Sequence, residues 1–240
     1  MFDFFGGASR KFHSAASGPR GSRHPGWPEA TPAVRLVPSA RFPHGARVQL
    51  LPLLRSDGPL WRRMRLEDQA LLQPVEPTQA EPWDQAHSVL AWWNYLLYVR
   101  QAASDAQIVP LAIDVDGQFG GQLTLGNIQR GGIRECWIGY WVHSSFTGGS
   151  VATVACGLGT DHAFHRVGMH RVTATFLPEN PASGKVLSAN GYREEGYFRR
   201  NLHIDGRWRD HHFVALTSDD FSTTCVERLR LQGRIEPKFV

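Results

Sequence analysis

The sequence predicts an α/β (α+β) domain built around an antiparallel β-meander, and three features of the apolar pattern carry that expectation. Residues 107–115, 118–127 and 135–142 read as successive strands joined by tight turns at Asp116-Gly117 and around Gly131-Gly132. Residues 83–103 place apolar side chains at helical spacing, with Ala86, Val89, Leu90, Trp93, Leu96 and Leu97 on one face and Trp92, Tyr95 and Tyr98 widening it. Beyond residue 150, helical and strand patterns alternate, which calls for helices packed against a sheet.

In chain order, RVQLLPLL from Arg47 is a strand and residues 56–67 a helix, followed by the long helix and the meander. The aromatic stripe of the long helix is accounted for as core by its spacing alone. After Gly148-Gly149, residues Val151, Val154, Ala155 and Leu158 keep helical period to about residue 166. Gly157 and Gly159 lie inside that helix, each costing about 1 kcal/mol relative to alanine, and two such residues imply a close neighbour. A strand follows at 171–176, then a short helix at 181–190. Asn180 caps that helix, Pro181 suits its first position and Gly191 supplies a left-handed stop. Strands from 192 to about 204 and at 209–216 precede a charged helix from Asp219.

With 240 residues, 42% of them apolar, the chain is long enough for one large domain with appendages. Residues 1–46 read as a basic arm: they hold six Gly, six Pro and five Ser, and the prolines recur too often for a helix to propagate. Phe2, Phe4, Phe5, Phe12 and Trp27 make the arm more aromatic than a plain linker and suggest docking on the body or on a second copy. The expected division is arm 1–46, domain 47–221 and C-terminal helical tail 222–240. The arm carries six of the 26 basic residues and two of the 22 acidic ones, so the formal charge of +4 resides there and the body is neutral. A neutral body argues against a groove that tracks nucleic acid, while the arm permits loose attraction to a polyanion such as a ribosome.

Cys136, Cys156 and Cys225 are odd in number and widely spaced, which fits reduced thiols better than a disulfide framework or a zinc site. No third ligand is marked beside His162 and His165, so no metal is expected. No window approaches the roughly 18 apolar residues of a membrane span, and MFDFFGGASRKF does not read as a signal peptide, so the expected location is cytoplasmic with no membrane partner.

The strongest chemical signal is a strand, a Gly-rich turn and a small-residue helix in succession: WIGYWV, HSSFTGGS, VATVACGLGTDHAF. Backbone N–H groups that converge before a helix start form an anion site, and glycines let a pyrophosphate approach the chain. The same succession is also read as a plain connecting turn. Phosphate-loop, dinucleotide and nucleophile-elbow motifs are absent, and Asp161 and His162 have no triad spacing with a cysteine.

The stretches LLQPVEP, then IGYWV with FTGGSVAT, then HRVTATFLPENPASGKVLSANGYREEGYFRRNLHIDGRWRDHHFVALT resemble the Gcn5-related N-acetyltransferases (GNAT), and within them the ribosomal-protein-alanine N-acetyltransferases of the RimJ type. The resemblance runs from about Arg47 to Phe221. It implies the GNAT fold, a mixed, mostly antiparallel sheet flanked by helices and splayed where two parallel strands part, here 135–142 and 171–176. Acetyl-CoA, the implied cosubstrate, would lie in the gap. Its pantetheine would pair with the backbone of Tyr140, Trp141 and Val142, and its pyrophosphate would sit on N–H groups of Thr147, Gly148, Gly149, Ser150, Val151 and Ala152. Ser183 would face the sulfur and protonate the departing thiolate. Its other reading is a residue that only bonds the helix backbone. Asn180 would contact the cofactor through water in addition to capping its helix.

Three positions depart from the family pattern: Thr147 stands where a cation is common, Ser150 where glycine is common, and Trp137 where many members place a base glutamate. The general base is therefore unassigned. An α-amino group of pKa about 7.7–8.0 needs less help losing a proton than a lysine near 10.4, so a protein N-terminus suits a weak base. Glu76 in LLQPVEP is the candidate for positioning or deprotonating that amine; its other reading is a solvated loop acid. The expected activity is acetyl transfer to an α-amino group, in the family reading the N-terminal alanine of a ribosomal or other protein. Small-molecule amine acetylation and non-catalytic acyl-CoA binding stand beside it. The oligomeric state is open between monomer and homodimer.

Overall fold

The runs read as strands fold into a single eight-stranded sheet in the computed structural model, which describes residues 25–237. The strands are β1 (Val34–Arg35), β2 (Arg47–Pro52), β3 (Val109–Val115), β4 (Gln118–Gln129), β5 (Glu135–Val142), β6 (Arg171–Phe176), β7 (Arg193–Ile204) and β8 (Arg207–Thr217). Their spatial order is β1-β2-β3-β4-β5-β6-β8-β7, and every neighbouring pair is antiparallel except β5 and β6. The helices are α1 (Gly58–Glu67), α2 (Gln69–Leu72), α3 (Trp83–Ala86), α4 (Val89–Ser104), α5 (Val151–His162), α6 (Pro181–Ala189) and α7 (Cys225–Leu231). This is the mixed, mostly antiparallel sheet with flanking helices that the resemblance implies.

Successive side chains of a strand face opposite sides of a sheet, so the molecule has two cores. On one face, Trp61, Met64, Trp92, Leu96 and Val99 of α1 and α4 pack against Ala112, Phe119 and Trp141. On the other, residues of α5, α6 and α7 pack against Leu50, Leu111, Leu123, Ile138 and Val172. Helix α5 fits tightly here because it lacks two side chains. A Cβ on Gly157 would come within 2.8 Å of Leu229 and Asn190, and one on Gly159 within 2.9 Å of Leu123.

The long helix expected over 83–103 is two helices. α3 ends at Ala86, and Ser88 starts α4 by accepting a hydrogen bond from the Ala91 N–H. The break resets the helical phase. Trp92, Leu96, Val99 and Ala103 are buried, whereas Val89, Leu90, Leu97 and Tyr98 are exposed, so the buried face is rotated away from the expected one.

Residues 25–46, expected as part of an arm, are folded into the domain. β1 extends the sheet beside β2, Leu36 bridges to Ile235, and Leu36 and Ala46 are both buried. Glu29, only 5% exposed, binds Arg166 through both carboxylate oxygens and lies 3.2 Å from His162. Burial pushes its carboxyl up, but His162 and Arg166 together outweigh that and hold it below the ordinary carboxylate range. Recurrent proline excludes a helix here without excluding burial, because an extended strap accommodates it. Phe2, Phe4, Phe5 and Phe12, expected to dock, lie outside the described residues.

The C-terminal segment is likewise no free tail. α7 begins later than Asp219, is capped by Thr224, and buries Cys225 and Leu229. Its first amides, on Cys225 and Val226, donate to the Asp161 carboxylate of α5.

The phase of α4 is directly testable. Leu96→Ala should cost about 3 kcal/mol by emptying a packed site, and Leu97→Ala less than about 0.5 kcal/mol. Denaturant unfolding of both variants measures the difference, and equal losses would contradict this orientation.

Candidate active site

β5 and β6 are paired in parallel only at Glu135 with Arg171, Cys136 with Val172 and Trp137 with Thr173. Beyond these pairs β5 stays on β4 and β6 stays on β8, so the sheet opens from Ile138 onward. A strand paired on one side turns every second residue's N–H and C=O to the other side. The His143 N–H donates to the Gly120 carbonyl at 3.0 Å, on the β4 side. Alternation along the strand then turns Trp141 toward β4, and Tyr140 and Val142 toward the gap. Trp141, expected to share in the open edge, therefore gives its amide to the ladder. Its ring lies in the α1–α4 core, with the Arg65 guanidinium 4.3 Å from the ring centroid.

The gap is a cavity of about 340 Å³ bounded by β5, β6, α6, residues 71–77 and the β7–β8 hairpin. It brings together Glu76, Tyr140, Trp141, Val142, Thr147, Ala152, Asn180 and Ser183. Gly148, Gly149, Ser150 and Val151 lie outside its lining, in the turn beside it, and Val151 is buried in the core. Ser183 sits in the first turn of α6, where its N–H donates to the side-chain oxygen of the capping Asn180 at 3.2 Å. Its hydroxyl is 3.5 Å from that of Tyr140. Burial above all pushes Tyr140 well above the ordinary tyrosine range, so this group stays O–H.

Glu76 is held in an ion pair by Arg65, a buried arginine lodged against the rings of Trp61 and Trp141. The pair thus fixes the Glu76 carboxylate at the cavity wall.

Sequence reasoning passed over His211. It is buried on β8 and lines the same cavity. Its Nδ1 lies 3.1 Å from the Arg209 carbonyl, which can only accept, so Nδ1 carries the hydrogen and Nε2 keeps its lone pair. Burial, more than any neighbouring charge, holds the imidazole below the ordinary histidine range, so it is neutral at pH 7. The available signal was the His211-His212 pair itself, since adjacent residues of a strand face opposite sides.

The turn before α5 departs from its expected form. The Thr147 N–H donates to the Ser144 carbonyl at 3.2 Å, and the Thr147 hydroxyl donates to the same oxygen at 2.8 Å, so Thr147 offers no free amide. Gly148, at φ +81°, is exposed with open space beside it, whereas Gly149 is buried under Phe42, whose ring a Cβ would meet at 2.4 Å. Only Gly148 leaves room for an anion; Gly149 makes room for Phe42. Ser150 precedes the first turn of α5 at φ +67°, in the left-handed region that favours glycine, and its side chain makes no capping hydrogen bond. The first-turn amides of α5 precede the first helical acceptor and have no partner within the helix.

A sheet opened between two parallel strands, with an unpaired strand edge, a cavity and an amide-rich turn at the head of a helix, defines the acyl-CoA-dependent acetyltransferase class. Residues 47–193 match the acetyltransferase (GNAT) domain, and the chain belongs to the GNAT family. It is similar to Mycobacterium smegmatis RimJ, solved in complex with CoA-disulfide, at 42% identity and a TM-score of 0.83 over 89% of this chain and 99% of that one. The ribosomal protein uS5-alanine N-acetyltransferase of Escherichia coli is 28% identical over 161 residues, 65% of this chain and 80% of that protein. The probable N-acetyltransferase YjcK of Bacillus subtilis is 35% identical over 105 residues, 44% of this chain and 58% of that relative, little more than half its length.

Burial pushes the thiols of Cys136 and Cys225 up to about 12, and that of Cys156 higher still. All three should resist a thiol reagent at pH 8 in the native protein and react fully in denaturant. Rapid native labelling of any one would contradict this packing.

Proposed function

We propose that the chain transfers the acetyl group of acetyl-CoA to an α-amino group, with the N-terminal alanine of a ribosomal protein as its acceptor. The open edge of β5 above the cavity carries this reading. Pantetheine is an extended chain of amides and can complete such an edge as a strand would, through the inward-facing backbone of Tyr140 and Val142. The acceptor class is supported by the likeness to RimJ and to the uS5-alanine enzyme. That acceptor would place the enzyme in the cytoplasm. Among the described residues no helix is long and apolar enough to cross a membrane.

In this reading His211 Nε2 takes the proton of the α-ammonium group, and the freed amine attacks the thioester carbonyl carbon. The Val142 or Tyr140 N–H receives the developing oxyanion. As the C–S bond breaks, the Ser183 hydroxyl gives its proton to the sulfur and takes in its place the second proton of the now cationic nitrogen, so that a neutral amide and the CoA thiol leave and Ser183 is restored, with the Tyr140 O–H beside it. Glu76, fixed by Arg65, orients the amine. An α-amine needs only this modest base, whereas a lysine side chain needs more.

Thiol release with an alanine-initiated peptide, an internal-lysine peptide and a polyamine tests the acceptor. The α-amine should be preferred at pH 7, and equal turnover on lysine would contradict the reading. Protonated His211 cannot accept a proton, so kcat/KM should fall as pH drops through a value below the ordinary 6.5 of histidine. His211→Gln should erase that limb and lower kcat/KM roughly a hundredfold. Ser183→Ala should lower kcat with the CoA Kd unchanged. An acid limb that persists in His211→Gln would remove His211 from the mechanism.

A further inference from the structure

Two arginines from outside residues 47–193 converge on the turn that leads into α5. Arg41 lies between β1 and β2; its Nε donates to the Thr147 carbonyl at 3.0 Å and its Nη2 to the Ser144 carbonyl at 3.4 Å. The root of Arg41 is fixed by a closed turn, in which the Ser39 N–H donates to the Phe42 carbonyl at 2.9 Å and the Phe42 N–H to the Ser39 hydroxyl at 3.1 Å. The Phe42 ring then seats on Gly149. Arg234, beyond α7, reaches the opposite end of the turn, where its Nη1 donates to the Ser150 hydroxyl at 3.2 Å. Its backbone is tied to the N-terminal strap, the Arg234 carbonyl accepting from the Val37 N–H at 3.3 Å.

A guanidinium has five N–H donors, and each of these two uses only part of its set on the protein: Arg41 on two carbonyls, Arg234 on the Ser150 hydroxyl and the Gln232 side-chain oxygen. Among the described residues neither has a carboxylate partner. Between them lie exposed Gly148, with open space beside it, and the rim of the cavity at Thr147 and Ala152. Two cations with no carboxylate partner among the described residues, braced at either end of a turn that opens onto the cofactor cavity, call for an anionic ligand of more than one charge.

We propose that Arg41 and Arg234 bind the phosphate groups of CoA, so that the segments flanking residues 47–193 supply the positive charge that Thr147 does not. This assignment rests on the acyl-CoA reading above. It gives the strap of residues 25–46 and the segment after α7 a shared role as a clamp on the nucleotide end of the cosubstrate.

Calorimetric titration of the full chain with CoA, pantetheine and inorganic pyrophosphate, at about 50 mM and about 500 mM salt, tests it. At low salt Arg41→Ala and Arg234→Ala should each raise the CoA Kd about tenfold, and the double variant more than about thirtyfold. The differences should shrink at high salt, and pantetheine, which lacks the phosphates, should bind all the proteins alike. Arg41→Lys keeps the charge and loses the planar fork, so it should fall between native and alanine. Weak pyrophosphate binding that vanishes in the double variant would further support the clamp. Native affinity for CoA retained in the double variant at low salt would overturn it, as would equal losses of CoA and pantetheine. A native protein that binds neither would instead sink the acyl-CoA reading, and this assignment with it.

Discussion

The parting of β5 from β6 is the constraint on which the rest of the molecule depends. An unpaired strand edge inside a protein leaves amides without partners, which is costly unless something completes it. Here the opening persists because each strand is committed elsewhere: β5 continues along β4 to Gly121, and β6 is paired with β8 along its whole length. α5 stabilises the arrangement from one face, its glycines letting it lie against Leu123 of the sheet and Leu229 of α7. The cavity, the inward amides and the turn beside it all follow from that one departure in direction.

The Glu76 side of the gap depends on the opposite core. Arg65 lies within the tryptophan cluster of α1, α4 and β5, and its charge is met by Glu76 at the cavity wall. The carboxylate is thus anchored, through Arg65, to the aromatic core. His211 enters from β8 on an equally rigid element. The groups that the proposed reaction uses, His211, Tyr140 and Ser183, are set on strands and the first turn of a helix.

Much of this was legible in the sequence because local rules and tertiary packing agree. The limits of β5 and β6 match the apolar runs, and α6 carries a full set of signals in Asn180, Pro181 and Gly191. The phase of α4 was misread because Ser88, which caps it, falls inside an unbroken apolar period. The strap was read as an arm because composition registers proline and glycine but not the partners that bury Glu29 and Leu36. At the site, residue types at motif positions were readable, while three features depend on distant parts of the chain: the Arg65 pair that ties Glu76, the inward face of His211, and the cations brought by Arg41 and Arg234. Thr147 and Ser150 looked like defects in isolation. Each proves to be the anchor for one of those arginines.

Residue-resolved amide hydrogen exchange of the native chain, with and without saturating CoA, tests the central claim most directly. If the open edge of β5 receives the cosubstrate as an added strand, the Tyr140 and Val142 amides should slow markedly on binding. The Trp141 amide, already bonded to β4, should be protected in both states. Uniform slowing along residues 138–142, or slowing confined to elements away from the β5–β6 gap, would contradict it.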